Sequence, residues 1–153
     1  MPHIHGLNKT TLLDYPGRVA ATIFLGGCNF RCPFCQNSPL VLHPSTEPKI
    51  SEEEVLNFLQ KRTGILEGVC ISGGEPTLSA DLEPFVRKIH EMGYSVKLDT
   101  NGSHPEVLKN LAEISRSQKE REATGTGQSM PRISTLEMVF RRMMRKCSSS
   151  SRE

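Results

Sequence analysis

The sequence of 153 residues has no apolar run of membrane-spanning length, which excludes a candidate spanning helix. Its opening, MPHIHGLNKTTLLDYPG, has no basic cluster followed by an apolar block, so no secretory leader is expected and the chain is read as cytoplasmic. Five cysteines, an odd number in a chain read without a leader, point to ligands or free thiols rather than disulfides. Strong net charge is also lacking: the formal value is +2, with 36% hydrophobic and 24% charged residues, as in a globular protein of one domain or one domain plus a tail. The balance hides an asymmetry. Residues 115–153 carry nine Lys and Arg against four Asp and Glu, while the preceding part carries ten against 13. A mildly acidic body, 1–114, is therefore expected to carry a basic, disordered tail, 115–153, read as a solvated end rather than as a nucleic-acid or membrane contact.

Along the body, strand and helix signals alternate. Val19–Leu25 (VAATIFL) is a short apolar run rich in β-branched residues, expected as a buried strand. It runs into the Gly- and Cys-rich loop GGCNFRCPFCQN, and Ser38–Lys49, with three prolines, is expected to be irregular. Ser51 and Glu54 have capping-box spacing and open a helix carrying Val55, Phe58, Leu59 and Arg62 on one face, with Gly64 as the stop. Gly68–Ser72 is the second expected strand and ends in Gly73-Gly74-Glu75-Pro76. Asp81 opens the next helix, with Leu82, Phe85, Val86 and Ile89 as its apolar stripe. Ser95–Leu98 is the third strand, ending in Asp99-Thr100-Asn101-Gly102. Ser103 and Glu106 repeat the capping-box spacing before Val107, Leu108 and Leu111.

This order predicts an α/β fold of about three βα units, with a parallel sheet, right-handed crossovers and helices on the outside. Each of three motifs follows the C-terminal end of a strand, the edge where such folds bind ligands. No strand is expected beyond Ile114, and Ile133, Leu136, Phe140 and Met143 are read as one short amphipathic helix at most.

Cys28, Cys32 and Cys35 form C-x3-C-x2-C, a spacing that can bind three irons of a cubane and leave the fourth iron open to a small molecule. A zinc site is the alternative, with His43 or Cys70 as a fourth ligand. Glycines 73 and 74 permit close approach of a ligand, and Glu75 can accept hydrogen bonds from an ammonium group. Asp99, Thr100 and Asn101 offer oxygen ligands and donors. Cys70 is expected as a small core residue, and His3, His5, His90 and His104 as surface residues.

The runs TTLLDYPGRVAATIFLGGCNFRCPFCQN, ISGGEPTL and KLDTNG together resemble the radical S-adenosylmethionine (SAM) activases of glycyl-radical enzymes. The likeness covers His3 to about Leu111. It is nearest to the anaerobic ribonucleoside-triphosphate reductase activating proteins, with the pyruvate formate-lyase activating enzymes similar. The resemblance implies two cofactors, a [4Fe–4S] cluster on Cys28, Cys32 and Cys35 and S-adenosylmethionine. It implies Phe34 beside the adenine, Gly73, Gly74 and Glu75 at the methionine amino group, and Asp99 and Thr100 near its carboxylate, with Asn101 in the same motif. No side chain is assigned a catalytic role, because the cofactors carry the chemistry. The implied partners are a glycyl-radical enzyme and an electron donor such as flavodoxin or ferredoxin, with no membrane or nucleic acid. The family barrel has six βα units, of which three are legible here, so an inert iron–sulfur-binding fragment stands as the alternative.

Overall fold

The computed structural model describes residues 2–124 and 137–140. A sheet of five strands in sequential order forms its centre: β1 (Ile4–Thr11), β2 (Ala20–Leu25), β3 (Gly68–Gly73), β4 (Ser95–Thr100) and β5 (Glu137–Phe140). The first pairs with β2 in antiparallel fashion, and β2 to β5 run parallel. Four helices lie between them: α1 (Ser38–Leu42), α2 (Glu52–Gln60), α3 (Leu82–Glu91) and α4 (Pro105–Thr124). The expected α/β architecture and its three βα units are present. Among the described residues, no helix is long and apolar enough to cross a membrane.

Alternation along the strands divides the sheet into two unlike faces. Ala21, Ile23 and Leu25 of β2, Val69 and Ile71 of β3, and Val96 and Leu98 of β4 point to one core. Onto that core pack Val55 and Leu59 of α2, the Leu82, Phe85, Val86 and Ile89 stripe of α3, and Leu108 and Leu111 of α4. The other face is polar and still buried. Thr22, Cys70 and Lys97 stand side by side in register across β2, β3 and β4. The segment between β1 and β2 covers them: Asp14 Oδ2 accepts the Thr22 hydroxyl at 2.6 Å, and the fully buried Tyr15 ring lies over Gly68.

Several expectations are corrected here. The strands expected from the sequence end at Leu98, yet β5 adds a fourth parallel strand, pairing Leu98 with Met138 and Thr100 with Phe140. Phe140 thus lies in a strand, not in a short helix; Ile133, Leu136 and Met143 fall outside the described residues. The edge of β4 supplies the backbone partners that the four residues of β5 lack alone. Helix α4 continues past Ile114 to Thr124. Ser38–Leu42, expected to be irregular, makes a short helix because Pro39 sits in its first turn, where a missing N–H is tolerated.

Ser51 caps α2 as its spacing predicts, accepting the Glu54 N–H at 3.1 Å. Ser103 does not cap α4, because the helix begins at Pro105 and Ser103 lies one residue before the cap position; its hydroxyl oxygen instead accepts from Asn29 across the sheet edge. Nor are all four histidines at the surface: His3 is exposed, but His5 and His90 are buried. The His5 ring is held by Pro48, its Nδ1 lying 3.0 Å from the carbonyl oxygen.

Candidate cofactor-binding site

The loops leaving β2, β3 and β4 meet at the C-terminal edge of the sheet. The cysteine loop begins at Gly26 and Gly27, whose N–H groups donate to His3 and Leu40 carbonyls at 2.9 Å each, so the residue before β1 and helix α1 brace its entrance. Arg31 donates to the Cys28 carbonyl at 2.7 Å and to the Phe30 carbonyl at 2.9 Å. A turn then brings the Cys35 N–H to the Cys32 carbonyl at 3.1 Å. None of the three cysteines is in a disulfide, and each is half-buried. Phe34, between the last two, is 73% exposed, a ring face open at the rim of the site.

The Gly73-Gly74-Glu75 turn lies directly against this loop. Gly74 donates to Leu25 O and Glu75 to Gly27 O, both at 2.8 Å, continuing the pairing of β2 with β3 into the turns. The approach is so close that a Cβ on Gly73 would collide with the Leu25 backbone, and one on Gly74 with Gly27. Gly73 also has φ +112°, a conformation that favours glycine. From the far side Asn37 donates to the Gly73 carbonyl at 2.9 Å.

Glu75 is 1% exposed and accepts four hydrogen bonds. Oε1 takes the Thr77 N–H at 3.0 Å, the Thr77 hydroxyl at 2.6 Å and the Thr100 hydroxyl at 2.7 Å; Oε2 takes the Asn101 N–H at 2.6 Å. Thr77 has one hydroxyl proton and gives it to Glu75, so His104 Nδ1, 3.0 Å from that hydroxyl, carries the proton they share. Asn101 continues the network toward the cysteines. Its Nδ2 donates to Asn29 Oδ1 at 2.9 Å and reaches Cys28 Sγ at 3.9 Å, while Asn29 in turn donates to Ser103 Oγ at 2.9 Å.

Asp99 faces the polar side of the sheet. It accepts Lys97 Nζ at 2.7 Å and the Cys70 thiol at 3.6 Å. Burial, reinforced by the charge of Asp99, pushes Cys70 up to about 12, so its thiol stays protonated. Cys70 is buried as expected, but among charges rather than apolar groups.

The sequence-predicted residues Cys28, Gly73, Gly74, Glu75, Thr100 and Asn101 are thus linked through one sheet edge. Asn29, Asn37, Thr77, Ser103 and His104 join them and were not predicted. No periodicity marks a pair such as Asn29 and Ser103, which are 74 residues apart.

Three cysteines outside any disulfide on one glycine-started loop suit an iron–sulfur cluster, in which each thiolate binds a different iron. Among the described residues, no three His, Cys, Asp or Glu side chains converge on a single-ion site. Cys70, one candidate fourth zinc ligand, is committed to Asp99 and Lys97.

A buried α/β sheet with a three-cysteine loop and a glycine-rich turn at one edge defines a cofactor enzyme of the partial-barrel type. The chain belongs to the radical SAM superfamily, matching it over residues 22–147. Members of that superfamily use a [4Fe–4S] cluster and S-adenosylmethionine, and the donor set here fits both. Among its relatives is a Methanocaldococcus jannaschii protein named as a glycyl-radical enzyme activating enzyme, 38% identical over 109 residues, which are 71% of this chain and 44% of the relative. Another is the 7-carboxy-7-deazaguanine synthase of Aquifex aeolicus, 34% identical over 87 residues, covering 57% of this chain and 38% of that one. The chain therefore spans less than half the length of these curated relatives. The crystal structure of QueE from Escherichia coli shares the fold, with a TM-score of 0.57 and 19% identity over 90% of this chain and 84% of that one.

Proposed function

We propose that this chain is a radical SAM activase that generates a glycyl radical on a partner enzyme, with anaerobic ribonucleoside-triphosphate reductase as that partner. The observation that carries the reading is the 38% identity over 109 residues to a protein named as a glycyl-radical enzyme activating enzyme. The DYPG turn, which covers the polar sheet face through Asp14 and Tyr15, favours the reductase branch over the pyruvate formate-lyase type.

In this reading Cys28, Cys32 and Cys35 hold the cluster, and Phe34 offers its exposed ring to the adenine. The Gly73-Gly74 turn presents backbone to the methionine amino group, and Asp99 lies toward its carboxylate. Glu75 and Thr100 shape the pocket more than they line it, because their side chains are bonded to each other and accept the Asn101 and Gly102 N–H groups, respectively. When bound, the cluster and S-adenosylmethionine supply one-electron cleavage and hydrogen abstraction; the protein positions and shields them. A flavodoxin or ferredoxin supplies the electron, and a reducing cytoplasm keeps the thiols available.

The test is anaerobic reconstitution with iron and sulfide, followed by reduction in the presence of S-adenosylmethionine and a glycyl-radical enzyme. 5′-Deoxyadenosine and a glycyl radical signal on the partner support the proposal. 5′-Deoxyadenosine without any radical on the reductase contradicts the partner assignment. Neither product from a cluster-loaded chain favours an iron–sulfur-binding fragment.

A further inference from the structure

We infer that Asn101 is a positioning residue for Cys28, its side-chain amide donating a hydrogen bond to the Cys28 sulfur that raises the reduction potential of the bound cluster. The inference rests on the reading of Cys28 as a cluster ligand and adds a residue that acts on the cluster through it.

The Asn101 amide has two hydrogens, and each has an acceptor. One is given to Asn29 Oδ1 at 2.9 Å, and Cys28 Sγ lies 3.9 Å from the same nitrogen, within reach of an N–H···S bond to the larger sulfur atom. The orientation of the amide is settled from both ends, since Asn101 Oδ1 accepts the Ser103 N–H at 3.0 Å. Its backbone is fixed as well: the Asn101 N–H is held by Glu75 Oε2 at 2.6 Å, and Glu75 is itself buried at the end of β3. The donor is thus delivered by a rigid path from the β3 and β4 turns. A second donor, the Phe30 N–H at 3.3 Å from Cys28 Sγ, comes from the cysteine loop itself.

An added electron increases the negative charge shared by a cluster and its thiolates. An N–H dipole aimed at a ligand sulfur stabilises that reduced form more than the oxidised one, so the potential rises. A donor from the β4 turn therefore lets the cofactor pocket set how readily the cluster is reduced. Removing it makes the cluster harder to reduce.

The experiment is a redox titration of the full chain after anaerobic reconstitution, with iron and sulfide measured on the same samples. Wild type is compared with Asn101→Ala, Asn101→Asp and Ser103→Ala. In Asn101→Ala the ratio of reduced to oxidised cluster at a fixed solution potential is expected to fall about threefold to tenfold, as loss of one hydrogen bond allows; tenfold corresponds to about 59 mV for a one-electron couple. Asn101→Asp keeps an oxygen for the Ser103 N–H but has no amide hydrogens, and should fall at least as far. Ser103→Ala loosens the same turn without removing the amide and should stay within about twofold of wild type.

Asn101 variants that carry full iron and sulfide and titrate with wild type would overturn the inference while leaving the cluster reading intact. So would an equal shift in Ser103→Ala, or loss of the cluster from both Asn101 variants, which would make Asn101 a structural support. A wild-type chain that takes up no iron and sulfide removes the cluster reading itself, and the inference with it.

Discussion

Glu75 and Asn101 are 26 residues apart, and the Asn101 backbone N–H donates to Glu75 Oε2 at 2.6 Å. This bond, with those from Thr77 and Thr100, ties the turn after β3 to the turn after β4. Replacing Glu75 with Ala leaves buried donors without acceptors, and we expect a loss of about 2–4 kcal/mol in the stability of the apoprotein. Glu75→Gln should cost less, because the threonine hydroxyls can rotate to a new acceptor. Urea unfolding of the two variants checks the order; equal stability of wild type and Glu75→Ala would deny the tie.

Gly73 and Gly74 test the close approach of the β2 and β3 turns. Gly73→Ala adds a Cβ against the Leu25 backbone at a φ of +112°, and Gly74→Ala adds one against Gly27. Each should lower stability by about 1–3 kcal/mol through strain and overpacking, and reduce iron uptake by displacing the cysteine loop. Gly17→Ala, with nothing within 4 Å of its added Cβ but a φ of +75° that favours glycine, should lower stability while leaving iron uptake unchanged. Iron and sulfide analysis alongside thermal melts separates the two effects.

His90 gives the fold a pH dependence of known sign. Burial lowers its imidazole from 6.5 to about 4. The unfolded chain takes up a proton near 6.5 while the folded chain resists until about 4, so the unfolded state binds more protons in that window. Stability attributable to His90 is complete above 6.5 and declines as pH falls toward 4, by up to about 3 kcal/mol. His90→Leu should remove this part of the slope. Parallel pH profiles for wild type and His90→Leu between 7 and 4 would contradict it.

The cysteines should divide into two kinds. Changing Cys28, Cys32 or Cys35 to Ala should abolish cluster binding, because each thiolate binds its own iron. Cys70→Ala should retain the cluster, since that thiol is held protonated beside Asp99 and away from any ligand role. Cys147, outside the described residues, should be dispensable as well. Visible absorbance and sulfide content of the reconstituted variants distinguish the two kinds.

Much of this architecture is legible locally. The apolar runs of β2, β3 and β4 and the stripes of α2 and α3 follow from alternation and helical spacing, and the Ser51 cap follows from side-chain chemistry three residues away. Residues missed from sequence depend on partners far along the chain. Strand β5 has four residues and takes its backbone bonds from β4, so no run in its own sequence announces it. Strand β1 is an edge strand whose exposed middle interrupts the alternation. Ser103 has the chemistry of a helix cap, but α4 begins at Pro105, one residue too late for it, and its hydroxyl meets Asn29 from the β2 turn instead. At the site, the cysteine spacing and the two glycines were readable as motifs. The role of Glu75 as a tie was not, because although Thr77 is a local partner, the Thr100 and Asn101 donors lie 25 and 26 residues away.

The most direct test of the whole account is quantitative analysis of metal and sulfide in the chain after anaerobic reconstitution, with electron paramagnetic resonance of the reduced sample before and after adding S-adenosylmethionine. We expect about four irons and four sulfides per chain, and a cluster signal that changes on adding S-adenosylmethionine because one iron has no cysteine ligand. Stoichiometric zinc without sulfide, or a cluster signal indifferent to S-adenosylmethionine, would contradict the account.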